Sequence, residues 1–373
     1  MPGSANEGLH RRCECRTGGQ MVDLDDIDEL RGMDPAGMLQ RIAELPQQVA
    51  SAWEAAGKLD LPTGYARARN VVVLGMGGSA IGGDLLRSLV AGECMVPIQV
   101  SRDYELPAFV GADTLVIACS YSGNTEETLT ALHQAEARGA MVLASTSGGT
   151  VLAEARQKGY PVYQIHYKSQ PRAALAHGLI PLLAVFQKLG FVSDYSSTVQ
   201  EAVETLESLL PEINEEAPTS RNIAKQTALL LFGRLPVVYG GGVMGEVAHR
   251  WKTQLNENSK SWAFFETLPE LNHNAVLGYQ FPAEISQKTV VLFLRASSLH
   301  SRIALRYDVT AEILTRFGVQ YESIDACGRS ALSQMLSTIL LGDYISCYLA
   351  FLYRVDPTPV ETIDYLKTRL GRS

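Results

Sequence analysis

"TLVIACSYSGNTEETLTAL", residues 114–132, changes character once, at Ser120. Thr114–Cys119 is an apolar run with no polar face, which reads as a parallel strand buried on both sides. Ser120, Ser122, Asn124 and Thr125 follow in a dense row of small and hydroxyl-bearing residues. From 125 to 138 the spacing predicts a helix. Strand, polar turn and helix make the repeating unit of an α/β fold. In open parallel sheets, ligands bind at the carboxyl ends of the strands. A turn there that offers hydroxyls and free helix N–H groups, with no Lys or Arg, suits an anion.

The same unit recurs on both sides. Upstream, "NVVVLGMGGSAIGGDLLR" (70–87) gives a strand, a Gly-rich turn and a helix, and "VPIQVSRDY" (96–104) gives another strand. Downstream, "AMVLASTS" (140–147) and "PVYQI" (161–165) read as strands around a helix at 151–158, and a long helix is expected over Arg172–Leu189. Near the start, Asp34 before Pro35 is placed to cap a helix through Leu39, Ile42 and Leu45. Residues 193–222 are polar and helical, and read as a connector.

The pattern then restarts. "LPVVYGGGVMGEVAHRWK" (235–252) parallels residues 70–87, and "TVVLFLRASSLHSRIALRYDVTAEIL" (289–314) parallels residues 114–132. Two copies of one α/β unit follow from this self-similarity. The expected organisation is an N-terminal extension (1–20), a first doubly wound domain (21–195), a helical connector (196–222) and a second such domain (223–373). Only the first copy keeps the full hydroxyl set, so the anion site is expected there.

"GMGGSA" (75–80) also fits the dinucleotide fingerprint, with Asp103 at a suitable distance. The second hydroxyl-bearing turn argues against that reading. A dinucleotide fold needs one Gly-rich turn, whereas hydroxyls converging from two turns suit a single phosphate monoester. Small residues that merely allow close packing are the plain alternative for either turn alone.

Composition narrows the class further. The 373 residues are 46% hydrophobic and 19% charged, which is ordinary for a globular chain, and the net charge of −8 disfavours nucleic acid. The first twenty residues are polar, without the apolar centre of a signal peptide, and read as disordered. The apolar runs near 173–186 and 345–353 are too short to span a bilayer. A cytoplasmic location with reduced thiols is expected. Cys94, Cys119, Cys327 and Cys347 read as buried thiols. Cys13 and Cys15, near His10, lack the paired spacing of a zinc site.

"GMGGSAIGGD" and "SYSGNTEET" resemble the sugar isomerase (SIS) domain. "QLNENSKSWAFFETLPELNHN" (254–274) and "DPTPVETIDYLKTRL" (356–370) narrow the resemblance to the bifunctional phosphoglucose/phosphomannose isomerase family, over residues 21–370. The resemblance implies two tandem SIS-type doubly wound domains and a metal-free, cofactor-free enzyme. It implies hexose 6-phosphate substrates, with the phosphate held by Gly77, Gly78, Ser79, Ser120, Ser122 and Thr125. By the match Glu257 is the catalytic base, and Arg172, His273 and Lys367 are the other catalytic positions. It implies a homodimer in which His273 enters the neighbouring subunit's site, and no membrane or nucleic-acid partner. Two positions depart from the family pattern: "KSQPR" (168–172) is poor in glycine, and Ala275 stands where an acidic residue is expected. A non-catalytic sugar-phosphate sensor, or an isomerase of another phosphosugar, are the alternative readings. The sensor would need the hydroxyl cradle and not the four catalytic matches.

Overall fold

The computed structural model describes residues 21–371; the extension with His10, Cys13 and Cys15 lies outside the described residues. The first sheet contains β1 (Asn70–Leu74), β2 (Ile98–Ser101), β3 (Thr114–Ser120), β4 (Met141–Thr146) and β5 (Val162–Gln164), all parallel, in the order β2-β1-β3-β4-β5. The chain steps from β1 to β2 on one side, then crosses to β3 on the other. That reversal opens a crevice between the carboxyl ends of β1 and β3. Leu74 pairs with Ala118, so the turn after β1 lies beside the turn after β3. Every residue of β3 is buried, as its unbroken apolar run requires.

The second sheet contains β6 (Leu235–Gly241), β7 (Phe264–Leu268), β8 (Thr289–Arg295) and β9 (Gln320–Asp325), in the order β7-β6-β8-β9. The chain reverses in the same way between β6 and β8, and the two sheets are the tandem units that the internal repeat predicts. The second crevice is filled by the protein's own side chains. A Cβ on Gly242 would lie 3.0 Å from Leu299 Cδ2, and one on Gly241 2.6 Å from Ile303 Cγ2. The Gln334 amide donates to Ser297 Oγ at 2.6 Å and accepts from the Ser298 N–H at 3.1 Å. The sequence reading missed β7 and β9. They are the edge strands of this sheet, β9 mostly exposed and β7 only partly buried, so neither carries a sustained apolar run.

The helix Ala331–Leu352 is long and apolar enough to cross a membrane, and it lies wholly buried as the core helix of the fold. Its apolar run is longer than the segment 345–353 suggests. Ser337, Thr338 and Ser346 interrupt the pattern, but their hydroxyls donate to carbonyls of the same helix, as Thr338 Oγ1 does to Gln334 O at 2.8 Å. A Leu-to-Ala change at such a buried position costs about 2–5 kcal/mol. Against it packs the helix Ser196–Ile213, within the segment read as a connector. Val199, Ala202, Leu206 and Ile213 form its buried stripe.

Two expectations are corrected. The long helix begins at Leu175, not Arg172, because Pro171–Ala173 forms a separate 3-10 turn. Cys327 is exposed and Cys94 half-buried, whereas Cys119 and Cys347 are buried thiols. Burial pushes the Cys119 thiol up to about 12.

The two sheet units meet where the helix Gly77–Leu89 packs on the helix Val243–Glu257. Arg87 bridges them, 2.7 Å from Glu246 and 3.6 Å from Asp84. Asp84, Glu246 and His249 converge closely enough to ligate an ion, but Arg87 and Arg102 already neutralise the two carboxylates.

Candidate active site

The crevice between β1 and β3 carries the hydroxyl cradle. Gly77–Ser79 begins the helix that follows β1, so its N-terminal end lies at the crevice; the Ser79 N–H donates to Met76 O at 3.0 Å. Ser79 Oγ accepts from the Tyr121 N–H at 3.1 Å, which ties the two turns together. Ser122 is exposed, and its Oγ accepts from the Asn124 N–H at 3.2 Å. Ser120 differs from the others. It is 1% exposed, and its Oγ bonds Thr125 Oγ1 at 2.9 Å and the Gly123 N–H at 3.1 Å. Ser120 therefore shapes the turn from inside, while Ser79, Ser122 and Thr125 are the more accessible hydroxyls.

Gly78 joins this cradle to the rest of the site. A Cβ there would stand 3.2 Å from Arg172 N and from Pro171 C and O. A side chain there would have to push the Arg172 backbone aside by a few tenths of an ångström, so glycine suits the close approach.

Arg172 is 2% exposed, far from the surface cap that an Arg after Pro171 suggests. Its Nε donates to Asn258 Oδ1 at 2.7 Å. Its Nη2 donates to Pro357 O at 2.9 Å and to Thr358 O at 2.7 Å. Among the described residues its Nη1 makes no hydrogen bond, and stands 3.6 Å from Glu257 Oε2. Burial pulls the guanidinium's pKa down, and the Glu257 carboxylate opposes that shift. The Arg172 carbonyl accepts from Arg250 Nη2 at 2.6 Å, and Arg250 pairs with buried Asp343 at 2.9 Å.

Glu257 is the last residue of the helix Val243–Glu257, with its side chain 28% exposed. The flanking asparagines support it. Asn256 Nδ2 donates to Ser261 O at 2.8 Å, and Asn258 Nδ2 to Ser346 Oγ at 2.9 Å. Lys260 crosses the end of the helix to donate to Glu257 O at 2.7 Å and Pro357 O at 3.0 Å. Burial first, and the Arg172 charge second, lower its pKa.

Among the described residues, His273 and Lys367 make no hydrogen bond or ion pair with Arg172 or Glu257. His273 is exposed on the 3-10 turn Glu270–His273, and makes no hydrogen bond or ion pair among the described residues. Its neighbours fix the turn: Asn272 bonds Thr310 and Arg306, and Asn274 bonds Glu270. Lys367 is exposed on the helix Glu361–Leu370, which buries none of its residues. One chain thus brings together the cradle, Arg172 and Glu257, and leaves His273 and Lys367 outside that contact set.

Asn258, Lys260, Arg250 and Asp343 were not singled out as site residues by sequence. "NENSK" held the first two, but the Pro357 and Thr358 carbonyls that bind Arg172 have no side-chain signal at all.

Two parallel doubly wound sheets in tandem, with a hydroxyl-bearing pair of turns at the first switch point, define an SIS-type class of protein. Residues 64–158 match the SIS domain, and residues 220–370 match the bacterial phospho-glucose isomerase C-terminal SIS domain. The chain is 42% identical to a bifunctional phosphoglucose/phosphomannose isomerase of Caldicellulosiruptor bescii, over 90% of this chain and 99% of that one. It is 38% identical to a protein of the same description from Aquifex aeolicus, over 82% and 91%. In fold it resembles the C-terminal domain of glucosamine-fructose-6-phosphate aminotransferase from Francisella tularensis, with a TM-score of 0.70, 15% identity and coverage of 91% and 100%. The chain belongs to the bifunctional phosphoglucose/phosphomannose isomerase family, and it is an isomerase.

Proposed function

We propose that this enzyme interconverts glucose 6-phosphate and mannose 6-phosphate with fructose 6-phosphate through a cis-enediolate, with Glu257 as the base. The observation that carries the reading is the buried Arg172 guanidinium beside the Glu257 carboxylate, set against the Gly78 turn of the cradle.

Moving a proton between C2 and C1 needs a positioned base, because the C–H beside a carbonyl is a weak acid. Glu257, partly exposed at the end of a rigid helix, fills that role. The enediolate oxygen then carries negative charge. Arg172 Nη1 faces the site, and a fixed cation there stabilises that charge without moving a proton of its own. The 6-phosphate rests on Ser79, Ser122, Thr125 and the N–H groups of the Gly77–Leu89 helix, on a turn shaped by Ser120. Glucose and mannose phosphates differ only at C2, which proton loss flattens, so both pass through one enediol. The chemistry requires a base and a fixed cation, and no metal or cofactor.

Ring opening needs a proton on the ring oxygen and one taken from O1. An imidazole does either near neutral pH, which suits His273. Its exposure, with no partner among the described residues, supports a homodimer in which His273 enters the neighbouring site. Lys367 serves as a hydrogen-bond donor to the sugar. A coupled assay with each hexose 6-phosphate tests the activity: turnover of both aldose phosphates supports it, and turnover of neither overturns it.

A further inference from the structure

The turn after the helix Val243–Glu257 reverses through Lys260, at a φ of 55°. A side chain enters that left-handed region at a cost, and a turn requirement alone would select Gly or Asn. A lysine holds the position instead, and among the described residues its ammonium makes no ion pair with a carboxylate. It donates to Glu257 O at 2.7 Å, to Asn258 O at 3.2 Å and to Pro357 O at 3.0 Å. The first two acceptors are carbonyls at the negative end of the helix that presents Glu257, where a cation is favoured. The third belongs to the strap 356–360. Arg172 Nη2 donates to that same Pro357 oxygen at 2.9 Å. Two cations on one carbonyl repel each other, so the arrangement persists only because further acceptors hold each of them.

Resting on the reading of Glu257 and Arg172 above, we propose that Lys260 is a positioning residue that clamps the Glu257 end of the helix to the strap whose carbonyls aim the Arg172 fork. It holds the base and the guanidinium in one frame although they come from different sheet units. The strap continues into the helix Glu361–Leu370, so the clamp also sets where Lys367 begins its path.

Lys260→Gly, Lys260→Met and Lys260→Arg test this, with kcat and KM for fructose 6-phosphate, the inhibition constant for inorganic phosphate, and hydrogen exchange over residues 355–362. Gly removes the ammonium and relieves the left-handed strain, so it separates the clamp from the turn, and it remains informative should the Met variant not fold. Losing charge-assisted bonds, both Gly and Met variants should lose about 10- to 100-fold in kcat and exchange faster over 355–362. The phosphate inhibition constant should stay within about twofold, because the cradle belongs to the other sheet unit. Lys260→Arg should recover most of the rate and the protection. Wild-type kcat in Lys260→Gly, with or without faster exchange, overturns the proposal. If the wild type turns over no hexose phosphate, the functional reading fails, and unchanged exchange in Lys260→Gly would separately refute the clamp.

Discussion

Arg172 Nη1 stands 3.6 Å from Glu257 Oε2, while the other two nitrogens of the same guanidinium are committed to Asn258 Oδ1 and to the Pro357 and Thr358 carbonyls. One edge of the cation is fixed by protein and one faces the carboxylate. A substrate oxygen meeting that edge finds a charge that needs no reorganisation. The same residue touches the Gly78 turn through its backbone, so the proposed phosphate cradle and the proposed reaction site would share one junction.

The cradle hydroxyls give the first expectation. Ser79→Ala and Ser122→Ala should each raise KM about 10- to 100-fold, the loss of one charge-assisted hydrogen bond, with the fold intact. Ser79→Ala should be the more severe, because Ser79 Oγ also accepts from the Tyr121 N–H across the two turns. Steady-state kinetics with fructose 6-phosphate reads both; an unchanged KM in both variants would move the phosphate elsewhere.

The Arg250–Asp343 pair supports Arg172 from below. Arg250→Met leaves the Asp343 carboxylate buried without its partner and removes the donor to the Arg172 carbonyl. Breaking a buried pair from one side costs about 3–5 kcal/mol. Urea unfolding should report a loss of that order, with kcat reduced in the residual folded enzyme. Wild-type stability would show that the pair is not closed to water.

A pH effect is expected from His177. This imidazole is buried, its Nδ1 bonds Tyr163 Oη at 2.9 Å, and burial pulls its pKa from 6.5 to about 4. The folded state keeps it neutral, while the unfolded chain takes a proton below about pH 6.5. The unfolded state binds more protons in that window, so stability should fall as pH drops from about 6.5 towards 4, by roughly 3 kcal/mol in all. His177→Gln should flatten that part of the curve. An equally steep curve in the variant would assign the loss to other groups.

His273 supplies an assembly test. Mixed Glu257→Ala and His273→Ala subunits, each inactive alone, should regain part of the activity once they exchange, because a hybrid dimer rebuilds one complete site. No recovery after demonstrated exchange would mean that each site is built within one chain.

The sequence showed the strands that bury both faces, such as β3, and the hydroxyl-bearing turns beside them, because those features live in local residue patterns; Glu257 came from the family resemblance, and the structure sets it beside Arg172. The edge strands β7 and β9 escaped because their exposed residues lack a period. The core helix Ala331–Leu352 showed in the sequence only as the apolar run 345–353, because Gly342 and Asp343 break the run, and the structure accommodates Asp343 through Arg250 of another helix. Lys260 was in view within "NENSK", but its role depends on carbonyls at Pro357, about a hundred positions away. No local pattern carries that information.

Glu257→Gln is the sharpest experiment. It keeps the side-chain shape and removes the basicity. Since a positioned general base contributes about 10²–10⁴-fold, kcat for glucose 6-phosphate and for mannose 6-phosphate should fall together by at least about 10²-fold. KM should change little, because the cradle is untouched. If either activity stays near wild type while the other is lost, one base acting through one enediol cannot be the mechanism.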